Sequence, residues 1–266
     1  MTRRGTGAVE RALLAALVVG AIAGCTADPG AGPSPVPTSP TSGTDSSAPG
    51  PAAETSAPAA ASTPVSAPPA VAAPAGSALA ALRRLPVKGR APMTGYDRAE
   101  FGQAWADVDR NGCDTRNDIL RRDLRDVVLT PGTHGCRVQS GVLNDPYTGA
   151  TVDFVRGVGT SIAVQIDHVV ALGDAWQKGA QSLTIERRTA LANDPLELLA
   201  VGGSVNQRKG DGDAATWLPP LRAARCGYVA RQVAVKAAYH LWVTAAERDA
   251  IARVLATCPS QPLPTR

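Results

Sequence analysis

Gln165-Ile-Asp-His-Val-Val-Ala-Leu-Gly-Asp-Ala-Trp176 sets two ionisable residues, Asp167 and His168, at the end of an apolar run that begins at Ser161. The run has the length and composition of a buried strand. The chain holds three histidines, His134, His168 and His240. Of these, only His168 stands beside a carboxylate at a strand tip. Neighbours in a regular strand point to opposite faces. Asp167 and His168 can therefore serve one site only where the strand ends or bulges, and a break is expected there. Downstream, Glu197–Val201 ("ELLAV") reads as a second short strand, with "NDP" before it and "GGS" after it. Ser204 is placed to cap a helix that starts "VNQRKG". The order is strand, loop, strand, turn, helix, and the helix carries Asn206 and Lys209.

Working upstream, Asn144–Gly149 ("NDPYTG") reads as the turn of a hairpin spanning Cys136–Asp153. Arg116–Leu129 reads as a helix, with Ile119, Leu120, Leu124 and Val127 on its apolar stripe. Asp114 or Thr115 caps its start. Ala99–Val108 reads as another helix, with Phe101, Trp105 and Val108 on one face. Working downstream, "ALGDAWQKGA" is helix-like and "IERRTALA" is a basic stretch. The segments Tyr228–Val243 and Ala245–Ala256 read as one long helix or two shorter ones. Thr244 and Glu247 have capping-box spacing. His134 lies in a Gly-flanked turn and reads as solvated; His240 reads as structural. The four tryptophans read as packing residues of the core or domain surface.

The outer parts of the chain differ in composition. Residues 1–24 read as an export signal, with Arg3, Arg4 and Arg11 before the apolar run Ala12–Ala23. That run is too short to span a bilayer as a helix. It ends "IAGC", which reads as a lipobox with Cys25 as the lipid attachment site. The expectation is a protein exported and held at the outer face of the cytoplasmic membrane by lipid alone, or secreted if the lipobox is not used. Residues 25–78 are rich in Pro, Ala, Ser and Thr and read as a disordered, semi-stiff tether. Leu79–Arg266 is then one folded domain with its own core. The whole chain has 27 basic and 23 acidic residues. Setting aside three Arg of the signal and Glu10, Asp28, Asp45 and Glu54 leaves the domain a net charge of +5. This permits a nucleic-acid partner without arguing for one. Apart from Cys25, four cysteines remain, which outside the cytoplasm reads as two disulfides. The sequence-local pairs Cys113–Cys136 and Cys226–Cys258 are favoured among three pairings. Zinc is the competing reading, but no CxxC or HxxxH spacing supports it.

Three stretches carry a resemblance to a known family: "IDHVVALGDAW", "ANDPLELLAV" and, most specifically, "VNQRKGDGDAATWLPP". They resemble the HNH (ββα-metal) endonucleases, in the secreted group that shares the C-terminal domain of GmrSD-type restriction enzymes. "YDRAEFGQAW", "CDTRNDIL" and "DPYTG" resemble the same group, so the likeness covers about Pro92 to Cys258. It implies an α+β domain with a ββα-metal core and flanking helices. It also implies metal-dependent hydrolysis of phosphodiester bonds, in DNA first, with RNA as the alternative substrate. In this assignment His168 is the general base, and Asp167 and Asn206 are ligands of a divalent ion, Mg²⁺ or Mn²⁺, with Asp211 and Asp213 as nearby oxygen donors. Lys209 or Arg208 holds the phosphate, and Arg116 is a further phosphate contact.

One departure bears on catalysis. Relatives carry Asn where this chain has Glu197, and that Asn holds the ring of the base. Glu197 in its place would accept from His168 and raise its pKa; Asn193 is the alternative orienting residue. Two other function classes compete: a catalytically weak HNH fold that binds nucleic acid or the cell surface, and a structural lipoprotein in which Asp167 and His168 are merely paired.

Overall fold

The structure, a computed structural model, describes residues 73–265. The signal, Cys25 and most of the tether lie outside the described residues. Packing begins before Leu79. Ser77 caps α1 (Ala78–Leu82) and pairs with Pro262, and Ala78 is fully buried.

The centre of the fold is a strand–strand–helix unit. β4 (Val164–His168) and β5 (Leu198–Gly202) run antiparallel, with Val164 opposite Gly202 and His168 opposite Leu198. α5 (Gly203–Lys209) follows without a linker. Gly203 makes that abrupt start possible, because a Cβ there would collide with the carbonyl oxygen of Ile162. Gly202 is the N-cap residue, so Ser204 does not cap the helix as expected; it lies exposed inside the first turn.

The second sheet is antiparallel, in the order β1 (Leu124–Leu129), β2 (Val138–Asn144), β3 (Thr151–Val155). β2 and β3 form the expected hairpin around the 144–149 turn. β1 corrects the long helix expected from Arg116. Only α2 (Thr115–Asp123) is helical, capped by the Asp114 side chain. From Leu124 the chain pairs with β2, through a bulge where Asp126 takes φ 52°. The run "DVVL" is rich in β-branched residues, which suit a pleated surface. Pairing with β2 overrides a helical period that would have put Leu124 and Val127 on the stripe.

The helix expected over Ala99–Val108 is also absent. Only Arg98–Phe101 forms a 3₁₀ turn. Gly102 then takes φ 75° and Trp105 φ 58°, and Val108 is 44% exposed. A Cβ at Gly102 would strike the hydroxyl of Thr189, so the glycine serves a close approach to α4 (Ile185–Ala192). The C-terminal region forms two helices, α6 (Arg225–Ala238) and α7 (Ala245–Leu255), and Thr244 and Glu247 make the expected capping box. His240, at φ 55°, lies in the turn between them.

The two faces of the β4–β5 pair bury different cores. Val164, Ile166, Leu198 and Ala200 pack with Ile119, Leu120 and Phe154. Val201 and Val205 pack with α1, α6 and α7. The disulfides are Cys113–Cys136 and Cys226–Cys258, the sequence-local pairing.

Buried charges lock the helices behind the site. Lys178, just after α3 (Leu172–Gln177), is fully buried, with Asp174 at 2.6 Å, Asp213 at 2.8 Å and Glu247 at 2.6 Å. Lys236 pairs with Asp174 and Glu247, and Arg90 with Asp174 and Asp213. Three cations thus meet three carboxylates, so each buried charge is compensated, as burial requires. Asp213, expected near a metal, belongs to this network instead.

Candidate active site

β4 ends at His168, as the side-by-side placement of Asp167 and His168 required, and it does so without a bulge. His168 leaves on the face of Val164 and Ile166, and Asp167 on the face of Gln165. Both nevertheless line one small pocket of about 170 Å³ at the strand end, together with Arg98, Leu172, Asn206 and Asp211.

The state of the His168 ring follows from its contacts. Nε2 lies 3.0 Å from the carbonyl oxygen of Ala192. A carbonyl only accepts, so Nε2 carries the proton and Nδ1 is the unprotonated acceptor nitrogen of the neutral ring. Arg98 Nη2 stands 3.4 Å from Nδ1, and the Trp105 ring lies nearly parallel, 22° off, with its centroid 6.2 Å away. Burial, then the charge of Arg98, lower the pKa of His168 to about 3, against the opposing pull of the Ala192 carbonyl. The imidazole is neutral at neutral pH.

This corrects the expected role of Glu197. Its carboxyl is fully buried and spans the backbone N–H of Val170, with its two oxygens at 3.2 and 3.1 Å. It does not hold the imidazole, and it does not raise the ring's pKa. Burial instead pushes Glu197 itself well above the usual carboxylate range. Asn193 does not hold the ring either. Its amide nitrogen donates to the carbonyls of Thr189 and Gln103. The preceding residue, Ala192, orients the imidazole through its backbone.

Asp167 is held from two sides. Tyr147 donates its hydroxyl to one carboxylate oxygen at 2.5 Å, and Lys209 Nζ lies 2.9 Å from the other. Burial raises the Asp167 pKa, and Lys209 and Tyr147 pull it back only in part. Lys209 also donates to the carbonyl of His168 at 2.7 Å. Fully buried and ion-paired, it does not reach outward toward a phosphate as expected; it fixes the end of β4. Arg208 is exposed. Arg116 donates to the carbonyl of Val164 at 3.3 Å and lies over the Trp105 ring.

The oxygen donors in the small pocket suit a hard divalent ion. Asp167 and Asp211 supply carboxylates. Asn206 gives its amide nitrogen to Gln165 at 2.9 Å, which leaves its carbonyl oxygen to face a ligand. Among the described residues, no group of three His, Cys, Asp or Glu stands together as a metal site; this set is two carboxylates and an amide.

Three contributors escaped sequence reasoning. Arg98 stands just before the stretch Ala99–Val108 that reads as a packing helix, and only the "YDRAEFGQAW" likeness includes it. Ala192 acts through its backbone, which no side-chain motif signals. Tyr147 sits in a turn 20 residues from Asp167; the "DPYTG" likeness was the available signal.

Residues 114–254 match the family described as GmrSD restriction endonucleases, C-terminal domain. A protein of Arthroderma benhamiae named only as an uncharacterized secreted protein is 38% identical over 186 residues, covering 69% of this chain and 86% of that protein. No solved structure matches. The match over more than half of the chain, together with the secreted relative, places this protein in the family of the GmrSD restriction endonuclease C-terminal domain, an HNH-type nuclease-related family.

Proposed function

We propose that this protein is an exported, metal-dependent endonuclease that hydrolyses phosphodiester bonds in nucleic acid, DNA in preference to RNA. The observation that carries the reading is the fixed, neutral imidazole of His168. Its unprotonated Nδ1 accepts from Arg98, which a bound phosphate would draw away, and oxygen donors stand at the same strand end. Hydrolysis needs a base for the attacking water and positive charge for the phosphate. His168 Nδ1 takes the proton of the water. The Ala192 carbonyl stabilises the imidazolium that forms. Arg98 pairs with a phosphate oxygen, and the phosphate charge then offsets the cation that holds the ring's pKa down. The water oxygen bonds to phosphorus, and the bond from phosphorus to the leaving sugar oxygen breaks. Arg116 and the exposed Arg208 add positive charge along the strand's path.

Asp167, Asn206 and Asp211 would hold a Mg²⁺ or Mn²⁺ ion, which neutralises charge on the phosphate and the leaving oxygen when bound. Lys209 and Tyr147 keep the Asp167 carboxylate in place for it. Cys25 is the proposed lipid anchor and would be the sole membrane attachment. Among the described residues, no helix is long and apolar enough to cross a membrane.

A second reading, a nucleic-acid binding module without cleavage, is favoured by one observation: Lys209 occupies an oxygen of Asp167. Plasmid nicking by the full chain, exported with its disulfides formed, separates the two. Cleavage with Mg²⁺ or Mn²⁺, its loss in EDTA, and a fall of roughly 10²–10⁴-fold in His168→Ala with the fold intact are expected. Undiminished nicking by His168→Ala would sink the enzyme reading. DNA binding with no nicking under either metal would favour the module.

A further inference from the structure

The other side of His168 opens into a second, larger pocket of about 370 Å³, which the hydrolytic scheme leaves without a role. Its walls include Phe101, Trp105 and Leu172, with the buried amide of Asn193 among them. The volume falls in the range of small-molecule sites, and the mix of apolar wall and a few polar groups is their usual composition.

Two independent features indicate that it is built for a ligand. The first is Trp105, which was read as a packing residue. It is only half-buried, and its backbone is held at φ 58°, in the left-handed region. A bulky residue rarely adopts that conformation, and such outliers gather at ligand clamps and functional sites. Its conformation is fixed from α2. The Thr115 N–H donates to the Trp105 carbonyl at 3.3 Å, and the Thr115 hydroxyl bonds the next carbonyl, that of Ala106. The second is Asn193, 1% exposed, whose Oδ1 has no hydrogen-bond partner although its amide nitrogen is fully used. A buried acceptor left unpaired is costly, and native proteins keep few of them.

The position of the pocket narrows the occupant. It shares Arg98 and His168 with the small pocket proposed above for the phosphate. A ligand filling both must carry an anionic group directly beside a flat, largely apolar one. A nucleotide has that make-up, and bases stack on aromatic side chains whatever their sequence. We infer that this pocket is a nucleobase site: the base beside the scissile phosphate leaves its stack and lies against Trp105, on the wall to which Asn193 belongs. The inference rests on the nuclease reading and deepens it. A base can enter only from an unpaired strand or by flipping from a duplex, so the enzyme favours single-stranded or locally opened nucleic acid.

The test measures binding and so is independent of cleavage. The full chain, in EDTA, is titrated with a short strand that carries one 2-aminopurine among abasic sugars, and by competition with the wholly abasic strand. Wild type should bind the base-bearing strand roughly ten- to hundredfold more tightly and quench its fluorescence. Trp105→Leu should lose that preference, and Trp105→Phe should keep most of it. Ala104→Trp, which fills the pocket, should lose it as well and guards against a folding defect in the leucine variant. Equal affinity for the two strands in wild type, or a preference that survives in both Trp105→Leu and Ala104→Trp, overturns the inference. Plasmid nicking without base preference removes the pocket alone. Base preference without nicking keeps the pocket and removes the cleavage reading.

Discussion

Lys178→Met tests the buried charge network and, through it, the frame of the site. Lys178 is fully buried, and its ammonium lies within 2.8 Å of three carboxylates from separate parts of the chain. The network is balanced at three cations to three anions, and only Arg90 is substantially exposed, at 37% of its side chain. Burial pushes Lys236 down, yet Asp174 and Glu247 outweigh it and hold its pKa above the usual lysine value. Methionine preserves most of the volume of Lys178 but strands one negative charge. Breaking a buried pair from one side costs about 3–5 kcal/mol. A domain of this size loses roughly 2–4 °C of Tm per kcal/mol, so Tm should fall by roughly 6–20 °C. Adding Glu247→Gln restores the balance, and the double variant should recover more than half of the loss, a coupling expected within one network. Because the groups are buried, added salt should change the difference little. Thermal and urea unfolding of the three proteins, at low and high salt, would measure this. A loss under about 1 kcal/mol in the single variant, or strict additivity in the double, would refute the reasoning. Below its melting range Lys178→Met should nick plasmid at the wild-type rate, since the network lies behind the site and not in it.

Two further outcomes follow from single positions. Glu197, whose pKa burial raises well above the usual range, contributes stability that is fully present below its unfolded pKa and lost as pH rises through the folded value. Glu197→Gln should therefore be more stable than wild type at pH 7, by an amount growing at about 1.4 kcal/mol per pH unit above the unfolded value and vanishing in acid; urea midpoints at pH 4 and pH 7 that move in parallel would contradict this. Gly203→Ala should destabilise the domain by about 1–3 kcal/mol, the cost of overpacking, because its Cβ meets the backbone oxygen of Ile162; an unchanged Tm would show that α5 can shift away from the entry to β4.

The features readable from sequence were those encoded over a few residues. An apolar run ending in Asp167 and His168, "ELLAV", and the Asn206 helix stated the strand–strand–helix order, and the fold has it. Thr244 and Glu247 announced their capping box. The four cysteines were closest in sequence in the pairs that formed. Local pattern failed where a distant partner decided the conformation. Leu124–Leu129 carries a helical stripe but becomes a strand because β2 offers it an edge. Ala99–Val108 has helical spacing, but Gly102 turns away so that the chain can lie against Thr189.

The site divides in the same way. Sequence alone determined which residue types meet at the strand end, because His168, Asp167 and Asn206 sit on elements that adjoin along the chain. It could not determine how they are tuned. The proton on His168 is placed by a backbone carbonyl from α4, and its basicity is lowered by burial and by Arg98, which lies 70 residues upstream. Asp167 is held by a turn tyrosine and a helix lysine. Periodicity and caps act within a turn or two of chain, whereas desolvation and charge depend on distance in space. Only the tertiary structure sets those distances, and so it decided the protonation state, the ion network and the pocket beside His168.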